Sequence, residues 1–167
     1  MVSVPLNQSS SRESRSDGRS EARFEALPDS VPPQNLEAEE AVLGGILLDP
    51  DAIGRIADVL QAEAFYLGAH REIYRTAVML HSQGKPTDLT AMCAWLADTG
   101  ALEKVGGQGR LVELVERITS TASIDQVARL VMDKFLRRQL IRSGNEVIAL
   151  GFDQSKPMEQ VPDAAEQ

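Results

Sequence analysis

Few side chains in this sequence have the type and spacing that chemistry needs. Its two histidines, His70 and His81, are eleven residues apart. On one helix they would stand roughly 16 Å apart along the axis at 1.5 Å per residue, too far to share a metal ion. Each therefore reads as a structural or surface residue. The single cysteine, Cys93, follows Met92, stands two residues before Trp95 and has no histidine near it in sequence. A thiol without a base or a cationic neighbour is a small core residue before it is a nucleophile. Glu37, Glu39 and Glu40 gather where a helix should begin, so they complement the positive end of its dipole. Nothing pairs them with a second catalytic group, and they are expected to be solvated. The motifs GxxxxGK[ST], GxGxxG after a strand, HExxH and CxxC are all missing. The sequence thus offers no catalytic, cofactor-binding or metal-binding residue of its own.

Charge points toward a protein partner. The 167 residues carry a formal charge of −8, which disfavours direct binding of nucleic acid, since phosphates are held by clustered Lys and Arg. One stretch runs against this average: Arg129, Lys134, Arg137, Arg138 and Arg142 are opposed only by Asp133. Such turns either form a solvated face pairing with acids of the same oligomer or attract an acidic partner.

These residues must be positioned by helices. Apolar residues make up 43% of the chain, and the aromatic ones among them are only one Trp, two Tyr and four Phe. A core of Leu, Ile, Val and Ala favours an all-α fold. Residues 1–31 are Ser-rich and alternate in charge, with too little apolar surface to offset the entropy of ordering, so they read as a disordered tail. A helical head is expected over 32–119. Asn35 caps a helix from Leu36 to Leu48 that buries Val42, Leu43, Ile46 and Leu47. Asp49-Pro50 starts a second, carrying Ile53, Ile56, Ala57 and Leu60. A third, from Gly68 to Gln83, buries Ile73, Ala77 and Leu80 and stops at Gly84. Asp88 caps a fourth, with Met92, Trp95 and Leu96, which Gly100 ends. Gly106-Gly107 precedes a fifth, with Leu111, Leu114, Val115 and Ile118.

Residues 120–153 differ in character. Ser123 and Gln126 form a capping box, and a helix of about seven turns can follow. Ile124, Val127, Val131 and Phe135 share one face, Leu136, Leu140 and Val147 a second, and Leu130, Ile141 and Ile148 a third. One core cannot cover three flanks. Part of this helix should therefore pack on a hairpin mate or on another subunit, with Leu130, Ile141 and Ile148 as the oligomer interface.

The segments PPQNLEAEEAVLGGILLDPDAI, FYLGAHREIY, GKPTDLTAM, LEKVGG and SIDQVARLVMDKFLRRQLI, in this order, resemble the N-terminal, non-motor domain of bacterial DnaB-type replicative DNA helicases. Leu43-Gly44, Phe65 to His70, Asp88 and Gly106-Gly107 fall at the positions marked in that family, as caps, turns and close helix contacts. Arg110 and Val127 stand where the family often has Tyr. The resemblance implies a compact head followed by one helix of a helical hairpin. It also implies a collar of paired subunits in a hexamer, and docking of primase and, in some members, of a helicase loader. Arg110, Arg137, Arg138 and Arg142 are the docking candidates. The resemblance further implies that residues 154–167 begin a linker to a motor domain absent from this chain. That motor would use ATP and Mg to unwind DNA 5′ to 3′ and would supply the DNA contacts.

Two other readings compete. The helicase-binding C-terminal domain of a primase resembles the same helical fold, and a small helical enzyme using Cys93 would belong to another class altogether. With no secretory h-region and no long apolar run, a cytoplasmic location is expected and a membrane location is not.

Overall fold

The computed structural model describes residues 31–118 and 123–152. The expected tail before Val31, the junction 119–122 and the expected linker over 154–167 lie outside the described residues. Among those described there is no strand. In chain order the helices are α1 (Leu36–Leu48), α2 (Ala52–Ile56), α3 (Gly68–Ser82), α4 (Leu89–Asp98), α5 (Gly107–Glu116) and α6 (Ile124–Phe152). Short 3₁₀ turns at Ala62–Ala64 and Glu103–Val105 punctuate them.

The ends of these helices follow from local chemistry. The side chain of Asn35 accepts a hydrogen bond from the Ala38 N–H at 3.0 Å, and that of Asp88 from the Ala91 N–H at the same distance. Each satisfies a donor that the first helical turn leaves without a carbonyl. After α3 the chain reverses through Gly84 at φ +67°, a left-handed conformation that costs an L side chain energy and glycine none. Asp49 differs from expectation. Its carboxylate accepts from the Asp51 N–H at 3.1 Å, closing a turn before the helix, so α2 starts only at Ala52. That helix ends at Ile56, and Leu60 reaches the core from the irregular chain beyond it.

α1 is the centre of the fold. It packs against α2, α3, α4, α5 and α6, and Ala38, Val42, Leu43, Ile46 and Leu47 are all buried. A helix apolar on every side needs neighbours on every side. At Gly44 the neighbour comes too close for any side chain: an added Cβ would stand 2.2 Å from the carbonyl oxygen of Leu114 and 2.5 Å from the side chain of Ile118. Around α1 the core is completed by Ile53, Ile56, Phe65, Ile73, Tyr74, Leu80, Met92, Leu96, Leu111 and Leu114. The Phe65 and Tyr74 rings meet at 5.0 Å between centroids, and the Tyr74 hydroxyl donates to the Leu60 carbonyl at 2.8 Å.

Candidate assembly and docking surface

α6 has 29 residues, roughly 43 Å of helix at 1.5 Å per residue. Only one of its faces is covered by the head. Ile124, Ala128 and Val131 are buried, and Val127, Met132 and Phe135 pack partly against the same core. The other two stripes lie open: Leu136, Leu140 and Val147 on one flank, Leu130, Ile141 and Ile148 on another, each between 43% and 75% exposed. From Leu140 to Ala149 every residue is exposed. Large apolar side chains gathered on one element at such exposure are unusual for a surface that faces only water.

Charged groups hold α6 to the head. At its start, Arg55 of α2 pairs with Asp125. Midway along it, Arg138 donates to the Pro33 carbonyl at 2.7 Å and to the Ala64 carbonyl at 2.5 Å. Its guanidinium also lies over the rings of Tyr66 and Phe135, at 5.7 and 5.8 Å. Of the basic residues singled out in the sequence for docking, Arg138 is thus turned inward. Arg137 is exposed and pairs with Asp133 one turn back, at 2.9 Å, while Arg142 lies exposed on the far half of the helix. Arg110, the fourth, belongs to α5. It donates to Glu40 at 2.5 Å and to Glu113 at 3.2 Å. The structure therefore does not bring the four arginines together.

The acidic start of α1 departs from expectation. Glu39 is not solvated: its side chain and that of His70 are each 2% exposed, with 2.8 Å between carboxylate oxygen and Nδ1. A carboxylate only accepts, so Nδ1 carries the proton and donates. Glu39 also accepts from the Tyr66 N–H at 2.6 Å and from the Leu67 N–H at 3.5 Å. The reason is backbone supply, because the extended chain at 65–67 has no strand to pair with and its buried N–H groups need an acceptor. Glu40 is likewise engaged, accepting from Arg110 and, at 2.6 Å, from Arg117. Burial alone would raise the Glu40 carboxyl, but the hydrogen bonds and charges of the two arginines outweigh it and leave the group below the ordinary carboxylate range.

Cys93 is half-buried, and burial pushes its thiol up, away from the thiolate that nucleophilic chemistry needs. Among the described residues no group of three or more His, Cys, Asp and Glu could hold a metal ion, and none of their helices is long and apolar enough to cross a membrane.

Comparison with known proteins agrees with this head and long helix. The family model described as the DnaB-like helicase N terminal domain matches residues 31–133. The chain belongs to that family. Among relatives, the replicative DNA helicase DnaB of Nostoc sp. (strain PCC 7120) is 56% identical over 137 residues, 82% of this chain and 16% of the relative. The replicative DNA helicase DnaC of Bacillus subtilis is 36% identical over 140 residues, 84% of this chain and 31% of the relative. The chain therefore spans between a sixth and a third of these relatives, and it corresponds to the N-terminal domain of a DnaB replicative helicase. A crystal structure of the N-terminal domain of DnaB helicase from Mycobacterium tuberculosis superimposes with a TM-score of 0.77 at 33% identity, covering 81% of this chain and 96% of that one. A DnaB-like replicative helicase, solved in a study of its interactions with primase, matches with a TM-score of 0.65, also at 33% identity, covering 79% of this chain and 31% of that one. In this DnaB-family domain the marked residues serve the scaffold. Gly44 admits α5, Asp88 caps α4, Gly106 turns the chain into α5 at φ +99°, and the Phe65–His70 segment is cradled by Glu39.

Proposed function

We propose that this domain assembles copies of a replicative helicase and docks partner proteins, with its long helix α6 as the working surface. The observation that carries the reading is the pair of exposed apolar stripes on the flanks of α6 that the head leaves uncovered. Such a surface reaches low free energy by being covered with protein, and one shared by identical chains builds a symmetric oligomer. In the full polypeptide that oligomer is a hexameric collar beside a motor domain. The motor uses ATP and Mg to drive DNA unwinding 5′ to 3′, and this domain supplies neither site. The C-terminal domain of the cognate primase is the first docking partner and a loader protein the second, in a cytoplasmic setting. Arg137 and Arg142 support an acidic contact there, since both are exposed.

The test has two arms. Light scattering over a concentration series should show self-association of the domain, and titration with the folded primase C-terminal domain at tens of micromolar should give a complex without DNA or nucleotide. A monomer at every concentration defeats the assembly role. No complex with primase defeats the docking role.

A further inference from the structure

We infer that the flank of α6 carrying Leu130, Ile141 and Ile148 seats on the outward face of α2 in a second copy of this chain, so that copies join head to tail. The inference rests on the assembly reading above and names the surface that meets the helix.

Charge distinguishes the two surfaces. Among the described residues, the head over 31–118 has thirteen acidic side chains against seven basic ones, whereas 123–152 has five basic against three acidic. Arg137 stands seven residues after Leu130, four before Ile141 and eleven before Ile148, so it shares their side of the helix. Lys134 and Arg137 both pair with Asp133, at 3.6 and 2.9 Å, which leaves one positive charge over along this flank. A second α6 laid flank to flank would meet that excess with the same sign. A surface that is both acidic and apolar complements it.

α2 offers such a surface. Ala52, Ile53 and Ile56 are buried, while Asp51, Gly54, Arg55 and Asp58 are exposed, with the two aspartates seven residues apart and so in line. Arg55 is engaged by Asp125, but among the described residues the carboxylates of Asp51 and Asp58 take part in no ion pair. Leu48 just before this segment and Val59 just after it are 52% and 54% exposed and add apolar area.

The spacings agree when the two helices run antiparallel. Gly54 lies four residues before Asp58, as Arg137 lies four before Ile141. Arg137 can then meet Asp58 while Ile141 meets the bare backbone at Gly54, where an added Cβ would touch only the His81 ring, at 3.6 Å. A helix flank seated on a different face of the next copy is a heterologous contact, the kind that propagates around a ring.

Charge reversal in separate chains tests the pairing. Arg137→Glu and Asp58→Arg, both at exposed positions, should each weaken self-association about tenfold in light scattering. Mixing the two variants should restore it, because the reversed charges face each other at one junction and the original pair survives at the next. A Cys93→Ala background supplies a second readout. When Ile141→Cys chains are mixed with Gly54→Cys chains under a thiol–disulfide buffer, the disulfide should join unlike chains. A link between two Ile141→Cys chains would set the flank against its own copy and overturn the inference, as would undiminished self-association of Asp58→Arg. A parent domain that associates while the variants form neither link puts another occupant on the flank, which overturns it too. If the parent is a monomer at every concentration, the assembly reading itself has failed, and this contact falls with it.

Discussion

A Cβ on Gly44 would stand 2.2 Å from the carbonyl oxygen of Leu114. That oxygen belongs to the backbone of α5, so no rotamer change can relieve the clash, and the two helices would have to separate. Gly44→Ala should cost about 3 kcal/mol or more, at or beyond the upper end for overpacking. Gly54 is the control. There an added Cβ meets only the His81 ring, at 3.6 Å, and Gly54→Ala inside α2 should stabilise by up to about 1 kcal/mol. Denaturant midpoints of the two variants should move in opposite directions.

Glu39 should be among the most sensitive polar positions. Glu39→Ala leaves His70 Nδ1 and the Tyr66 N–H without an acceptor inside the core, a loss of about 3 kcal/mol or more at roughly 1.5–3 kcal/mol for each hydrogen bond to a charged group. Glu39→Gln, which keeps one oxygen, should lose less. If Glu39→Ala melts like the parent domain, the buried cluster is not structural.

Stability should fall at both ends of the pH scale, for different residues. Burial pushes the Tyr74 hydroxyl up to about 12 from an ordinary value of 10.0. The folded state keeps that proton where the unfolded chain gives it up. Its contribution is therefore complete below pH 10.0 and is lost as pH rises toward about 12, on the order of 2 kcal/mol in all. Tyr74→Phe should remove this alkaline loss at the expense of the bond to Leu60. At the acid end, the lowered Glu40 contributes above its ordinary value of 4.5, and that contribution disappears as pH falls below 4.5 through the folded value. Equilibrium unfolding at stepped pH checks both signs.

Ile141→Asp should leave the helical signal and thermal midpoint of the head nearly unchanged, because Ile141 is 43% exposed and is not a member of the hydrophobic core. In a contact between copies it would bury an unpaired charge, costing several kcal/mol. A shift from oligomer to monomer in light scattering is the expected result. An unchanged oligomer at the same concentration removes the Leu130, Ile141 and Ile148 flank as the interface.

Neutralising Arg137 and Arg142 together should lower the rate of association with the primase C-terminal domain and flatten its salt dependence, since long-range attraction is screened beyond about 8–10 Å at physiological ionic strength. Because both side chains are exposed, the fold should be unaffected. An identical salt slope in the double variant argues against any steering by these two residues.

The helices were legible wherever their signals were local. Asn35 and Asp88 cap what their positions imply, Gly84 and Gly100 stop α3 and α4, and the three-sided apolar pattern of residues 124–152 does leave two stripes uncovered. What sequence periodicity hid was set by distant partners. Glu39 looks like one more acid at a helix start until Tyr66 and His70, 27 and 31 residues on, close over it. Arg138 looks like part of a basic face until Pro33, 105 residues earlier, supplies a carbonyl. A buried charge leaves little trace in local pattern, since burial is decided by the chain that comes to cover it. The one available hint was the extended Phe65–Leu67 segment just before a helix, whose N–H groups had no evident acceptor.

The far half of α6 also works as a lever. Fourteen residues follow Arg138 within the helix, about 21 Å of rod at 1.5 Å per residue. A tilt of about 10° where the head lets go would carry the tip sideways by about 4 Å, about two-thirds of the 5.4 Å rise of one helical turn. Apolar side chains that interlock with a neighbour tolerate far smaller misfits than that. The accuracy with which distant surfaces can meet is therefore set in part by how firmly the first half of the helix is seated on the head.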